Sequence, residues 1–329
     1  MLALTKNRHQ WGFACGRISA LEGRLMGQDF FLSLAGLERT EDLFQRLQDT
    51  SLREHMTPGA VTWEDWSAII DAYVHNLVLS LRRDSPRTAA ADLFTLTDDY
   101  LNLKRAVQHR GAYPFLINIF SEDRLNEIAA GNFSLLPDVI RATVAQLAGG
   151  TETVNPLVVD MTLDGAYLRH YLALGTDLEA PFIEYWVQER VLARAVVVLW
   201  RAARSGHPLK MYQQHFLPLG PFNGVLGEMI ASGDPRGWGA LIPGRLGDLY
   251  QEALEAPEEE QVVRFEHITS DYLTELARRV KMQTMGPERV AGFLWGLWVE
   301  AFNLKLVISG RLNKIDPDIL KSRVRACYV

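Results

Sequence analysis

Apolar residues recur at three- and four-residue intervals along most of this chain. The pattern runs through Leu21 to Leu47, Asp65 to Leu81, Asp92 to Arg110, Asp138 to Leu147, Phe182 to Arg204 and Tyr272 to Val280. Such spacing predicts helices with one buried face, and no run alternates with the two-residue period of a strand. The expected fold class is all-α. Pro58, Pro86, Pro114, Pro156, Pro208 and Pro257 fall where connections are expected. The longest apolar segment begins at Pro287, which suits the first turn of a helix because no N–H is needed there. Gly310 is the predicted stop, since glycine takes positive φ without strain. Val290, Phe293, Leu294, Leu297, Trp298, Ala301, Leu304 and Ile308 form the predicted stripe between them. Glu300, Asn303 and Lys305 interrupt it, and Asn is a mediocre helix former that needs a reason to be there.

A weak repeat underlies this pattern, with a period of roughly one hundred residues, the size of a domain. Each round opens with a short helix, a Gly-centred turn and a second short helix. Phe31–Gly36 and Asp42–Leu47 open the first, Leu125–Asn132 and Leu136–Arg141 the second, Leu226–Asp234 and Arg245–Tyr250 the third. Two long helices follow, the second running toward a glycine. In the first round Asp99, Asn102 and Lys104 precede Gly111, and in the last Glu300, Asn303 and Lys305 precede Gly310. The middle round reaches Gly206 with Ala195, Val196 and Val197 where the polar triplet should be. Three similar helical domains are expected, over residues 1–115, 116–220 and 221–329.

Composition narrows the function classes. At 329 residues the chain has room for two or three cores, and a net charge of −6 with no long basic run argues against nucleic acid as the main partner. Cys15 and Cys327 make neither a disulfide framework nor a four-ligand metal site, and they fit a reducing compartment. Met1 to Gln10 lacks the apolar core of a signal peptide. Ala291 to Ile308 is the one stretch that suggests a membrane span. Glu300, Asn303 and Lys305 inside it favour a buried helix of a soluble protein over a membrane span.

Catalytic motifs are scarce. Gly239–Leu246 has a phosphate-loop outline but lacks the Lys and the Ser or Thr such a loop needs, and Pro243 removes an N–H. No nucleotide or cofactor is expected. His207 and His215 flank Pro208 and do not form a helical metal pair. Asn132-Phe133-Ser134 reads as a turn. Glu252, Glu255, Glu258, Glu259 and Glu260 read as a solvated loop around Pro257. Arg311, Lys314, Lys321, Arg323 and Arg325 are either an exposed helix face or a basic patch for a partner. Asn102 and Asn303 either bond neighbouring backbone and fix how helices cross, or line a socket with their charged neighbours.

The tail carries a resemblance. Glu300 shortly before Asn303-Leu304-Lys305, then Gly310-Arg311-Leu312-Asn313, a short helix and a terminal Tyr328-Val329 resemble the end of the C subunit of V/A-type rotary ATPases, counterpart of the eukaryotic d subunit. Arg17–Leu25, Gln48-Asp49-Thr50 and Phe216–Gly220 extend the likeness, while Trp11–Gly16 departs from the family's usual lead-in. The resemblance implies a pseudo-threefold funnel of helical domains and a non-catalytic socket between the central-stalk axle subunits and the proteolipid ring. It implies torque transmission for proton or sodium transport, and a cytoplasmic place peripheral to the inner or plasma membrane. Asp99, Asn102, Lys104, Glu300, Asn303, Lys305, Arg311, Arg323 and Arg325 are the candidate structural or partner residues. The competing class is a generic all-α scaffold that binds other proteins and is unrelated to ATPases.

Overall fold

The computed structural model describes residues 7–37, 39–56, 59, 62–109, 122–132, 134, 138, 141–143, 145 and 155–329. Helices dominate and no strand occurs among the described residues, as an all-α class requires. The first group is α1 Gly12–Glu22, α2 Gln28–Ala35, α3 Thr40–Leu47, α4 Trp63–Asp84, α5 Ala89–His109 and α6 Glu122–Ala129. The second is α7 Pro156–Asp177, α8 Pro181–Arg204, α9 Leu209–His215, α10 Asn223–Ser232, α11 Arg245–Leu254, α12 Gln261–Arg279, α13 Pro287–Leu312 and α14 Pro317–Arg323. Gly111, Pro58, Pro114, Leu136, Pro137 and the expected boundary between residues 115 and 116 lie outside the described residues. Of the segment 138–147, residues 138, 141–143 and 145 are described, and they are helical.

Local chemistry sets the helix ends. Thr62 and Asp65 form a reciprocal capping box at the start of α4. Asp316 accepts from the N–H groups of Asp318 and Ile319 at the start of α14. Pro287 opens α13 as its sequence position predicts. At the end of α8, Gly206 adopts φ 70° and His207 N–H returns to the Ala202 carbonyl (3.0 Å). Gly310 behaves differently from its expectation. It lies inside α13, which continues to Leu312, and a Cβ there would sit 2.2 Å from the Leu320 side chain. Its role is close packing of α14 on α13, and the helix stops at Asn313 instead.

The expected segment Leu21–Leu47 is divided among α1, α2 and α3, with α1 beginning at Gly12, and two further segments differ from the periodicity reading. The helix α7 was not among the predicted segments, and Pro156 begins it instead of sitting in a connection. Its buried residues, among them Val159, Met161, Leu163, Ala166, Leu168 and Tyr171, surround the helix, so no stripe marks it. The helix α12 begins eleven residues earlier than Tyr272, at Gln261.

Contacts divide the chain into two compact units. The first comprises Met1–Phe94, Leu178–Ile183 and Ser270–Val329, and the second Thr95–Asp177 and Glu184–Thr269. In the first, α13 packs along α4 and against α1, α2, α3 and α14. Residues on every side of α13 are buried, from Val290 and Phe293 to Val307 and Ile308. This is why it is long and apolar enough to cross a membrane by composition while most of it is buried inside the protein. The expected single stripe is therefore too narrow a description.

In the second unit, α5 meets α7 where the Tyr100 hydroxyl donates to the Ala166 carbonyl (3.2 Å). The helix α8 meets α12 through Trp200 and Phe265, and Tyr250 of α11 lies tilted against Trp200 with centroids 4.2 Å apart. Arg201 adds an ion pair to Glu266 at 2.6 Å.

Candidate functional site

The two polar triplets occupy different surroundings. In the first unit Glu300 is 2% exposed, in the middle of α13. Its carboxylate accepts from the Tyr73 hydroxyl of α4 (2.9 Å) and from Met26 N–H in the α1–α2 connection. One carboxyl thus ties together three segments distant in sequence. Burial raises its pKa to about 7, against the opposing pull of the Met26 and Tyr73 hydrogen bonds. Burial, with Glu300 beside it, also pushes the Tyr73 hydroxyl upward, so it stays protonated and remains a donor.

Three residues on, Asn303 is fully buried. Its amide donates to the Arg325 carbonyl (3.0 Å) and accepts from Arg325 N–H (2.9 Å). A side-chain amide here supplies the reciprocal pair that a neighbouring strand would supply to backbone. It bonds backbone, one of the two alternatives for it, but that backbone belongs to the C-terminal tail and not to a crossing helix. The rest of the tail is fastened as densely. Ala326 N–H donates to Asp271 (2.8 Å), Arg278 donates to the Cys327 carbonyl, and the Tyr328 hydroxyl donates to Glu22 (3.0 Å). A Cβ on Gly296 would lie 2.5 Å from the Tyr328 Cβ, so only glycine lets the tail approach this closely. Cys327 is buried, and its thiol is pushed up to about 12 by that burial, which leaves it protonated.

Lys305 reaches Asp71 of α4 at 2.6 Å. Arg325 lies 3.4 Å from the centroid of Phe302, a cation–π contact that makes it part of the tail's packing. It is thus not the freely exposed charge that its place in a basic cluster suggests. Arg311 and Arg323 are half-buried.

In the second unit Asp99 and Asn102 are buried, at 2% and 0% exposure. Lys104 pairs with Asp164 (2.9 Å) and Asp160 (3.3 Å) of α7. Both triplets therefore place an acidic residue and an amide inside the protein and send a lysine to an aspartate on a neighbouring helix. The sequence reading missed the partners Met26, Tyr73, Asp71 and Asp271. Tyr73 lies on the predicted face of α4, but nothing in one sequence links it to Glu300.

A cleft of about 230 Å³ opens beside Tyr73, floored by Leu21, Leu25, Leu77 and Phe293 and rimmed by Arg24, Glu54 and His55. Its one strongly shifted group is Tyr73, which is moved away from reactivity. Among the described residues no group of three or more His, Cys, Asp or Glu side chains is placed to hold a metal ion.

Among the described residues the fold is all-α, and its densest polar bonding fastens the tail. A family model for the ATP synthase (C/AC39) subunit matches residues 14–323. The chain belongs to that family, the C subunits of V/A-type ATP synthases and their d-subunit counterparts. No curated protein matches the chain. Family membership makes it a structural subunit of a membrane-associated ATP synthase complex, peripheral to the membrane and of the rotor stalk. An unrelated scaffold is thereby excluded.

Proposed function

We propose that the chain is the socket of the central stalk, joining the soluble rotor axle to the proteolipid ring and transmitting torque for proton or sodium transport. It binds no nucleotide and performs no chemistry of its own. The observation that carries this role is the closure of the first unit. Residues from both ends of the chain meet there, and Glu300, Asn303 and the tail lock α13 to α4 and to the α1–α2 connection. An adaptor under torque needs close-packed helices that do not slide, and wide contact faces.

Three domains, over residues 1–115, 116–220 and 221–329, are the proposed mechanical plan, arranged as a pseudo-threefold funnel. The pairings of α4 with α13, α5 with α7 and α8 with α12 support a threefold plan, because each joins a long helix of one round to a long helix of another and every pair of rounds is joined once. Within it, Asp99, Asn102, Glu300 and Asn303 hold the domains together, and Lys104 and Lys305 brace helix pairs. Arg311 and Arg323 belong to the basic face offered to acidic groups of stalk or ring, on the cytoplasmic side.

The test is reconstitution in proteoliposomes with and without the chain. Without it, the catalytic head should still hydrolyse ATP while ATP-driven ion transport is lost. Undiminished transport in its absence would overturn the proposal.

A further inference from the structure

The connection between α12 and α13, residues 280–286, is fixed at its backbone while two of its apolar side chains face water. Arg289 donates to the carbonyls of Lys281 (2.8 Å) and Gln283 (2.7 Å). Arg8 donates to the Gln283 side chain (2.6 Å) and to the Met285 carbonyl, and the Cys15 thiol reaches the Gly286 carbonyl (3.6 Å). Two arginines and a thiol from three separate segments thus set this loop. Yet Met282 is 90% exposed and Met285 39%. Phe13, 68% exposed, follows Gly12, whose Cβ position lies 3.9 Å from the Met285 sulfur. A loop held this firmly has no need of large apolar side chains in water.

The surrounding charge points to what covers them. Arg8, His9, Arg279 and Lys281 flank the loop, and Lys281 lies 5.5 Å from the Tyr328 ring centroid. Of the acids from neighbouring elements, Glu288 is buried and Glu22 is held by Arg289 and Tyr328. Glu275 lies between Arg278 and Arg279, and Glu179 sits 3.5 Å from Arg87. Arg278 and Arg279 outnumber Glu275 between them, and Lys281 adds a cation in the same loop as Met282 and Met285. Apolar groups in a basic rim match the boundary of an anionic bilayer, where acyl chains take the apolar groups and headgroups the cations.

We propose that residues 280–286 and the first turn of α1 dock on an anionic lipid surface. This contact is independent of which stalk or ring subunits the protein meets. The test uses the full chain in co-sedimentation with vesicles of phosphatidylcholine alone or mixed with phosphatidylglycerol. Wild type should bind the mixed vesicles at low salt, bind phosphatidylcholine poorly, and dissociate as salt rises. The triple variant Phe13→Ser, Met282→Ser, Met285→Ser should bind about tenfold more weakly, from the apolar area it loses. Its melting should change little, since Phe13 and Met282 are exposed and Met285 is only partly covered. A Met282→Cys variant carrying an environment-sensitive dye should shift to the blue on mixed vesicles. Absence of wild-type binding to mixed vesicles, or equal binding by the triple variant, overturns the proposal. So does loss of co-purifying subunits by the triple variant with vesicle binding intact, because the patch would then belong to a protein partner.

Discussion

Glu300, Asn303 and Lys305 on α13 and Asp99, Asn102 and Lys104 on α5 follow the same spacing, and each set hides its acid and amide while its lysine meets aspartate. Lys104 has two aspartates and is 18% exposed in its side chain, whereas Lys305 has one and is 34% exposed. Both amides are fully buried, and that of Asn303 is committed to the backbone of Arg325 in the segment after α14. The shared part is the bracing of helix pairs, and on α13 the amide also fastens a non-helical tail to the helices around it.

The comparison can be broken first at Asn303. Asn303→Ala leaves the part-buried N–H and carbonyl of Arg325 without their side-chain partner and opens a gap at a fully buried site, a loss of about 3 kcal/mol. Chemical denaturation should show that loss. A wild-type midpoint would mean that the tail is not held by this amide.

Glu300 gives an effect of similar size with a sign of its own. Its pKa rises from 4.5 to about 7 on folding, so the folded protein holds this proton more tightly than the unfolded chain. The contribution is complete below about pH 4.5 and is lost as pH rises through about 7. Glu300→Gln removes the ionisation, and its stability relative to wild type should rise by about 3 kcal/mol between pH 5 and pH 8. Parallel melts across that range check this, and parallel curves for the two proteins would contradict it.

Gly296→Ala pushes a methyl group into Tyr328 and should cost about 2 kcal/mol. Limited proteolysis should then release the tail before the rest of the chain. The smallest effects sharpen the lysine comparison. Lys104→Ala, from the more buried site with two aspartates, should cost about 1 kcal/mol, and Lys305→Ala less than about half of that. Equal losses would remove the distinction between the two braces.

Much of the fold was legible because periodicity reports which face of a helix is buried. The bounds of α4, α5 and α8 follow from it closely, and Pro287 marks the start of α13. The helix α7 was not legible, since burial on all sides erases the stripe. Gly310 was misread because a glycine near a helix end looks alike whether it supplies positive φ or room for Leu320. The family signature drew attention to Glu300 and Asn303, but not to Tyr73 or Met26, and it did not pair Asn303 with Arg325. Those pairings span long sequence separations, and no local pattern encodes them. The tail after α14 has no periodicity at all, because its order comes from side chains elsewhere in the first unit.

Co-purification tests the central claim most directly. The full chain, tagged and drawn from its native membranes in mild detergent, should bring central-stalk subunits and the proteolipid ring with it in fixed ratio. Recovery of the chain alone, from membranes in which the assembled ATP synthase is intact, would contradict the account.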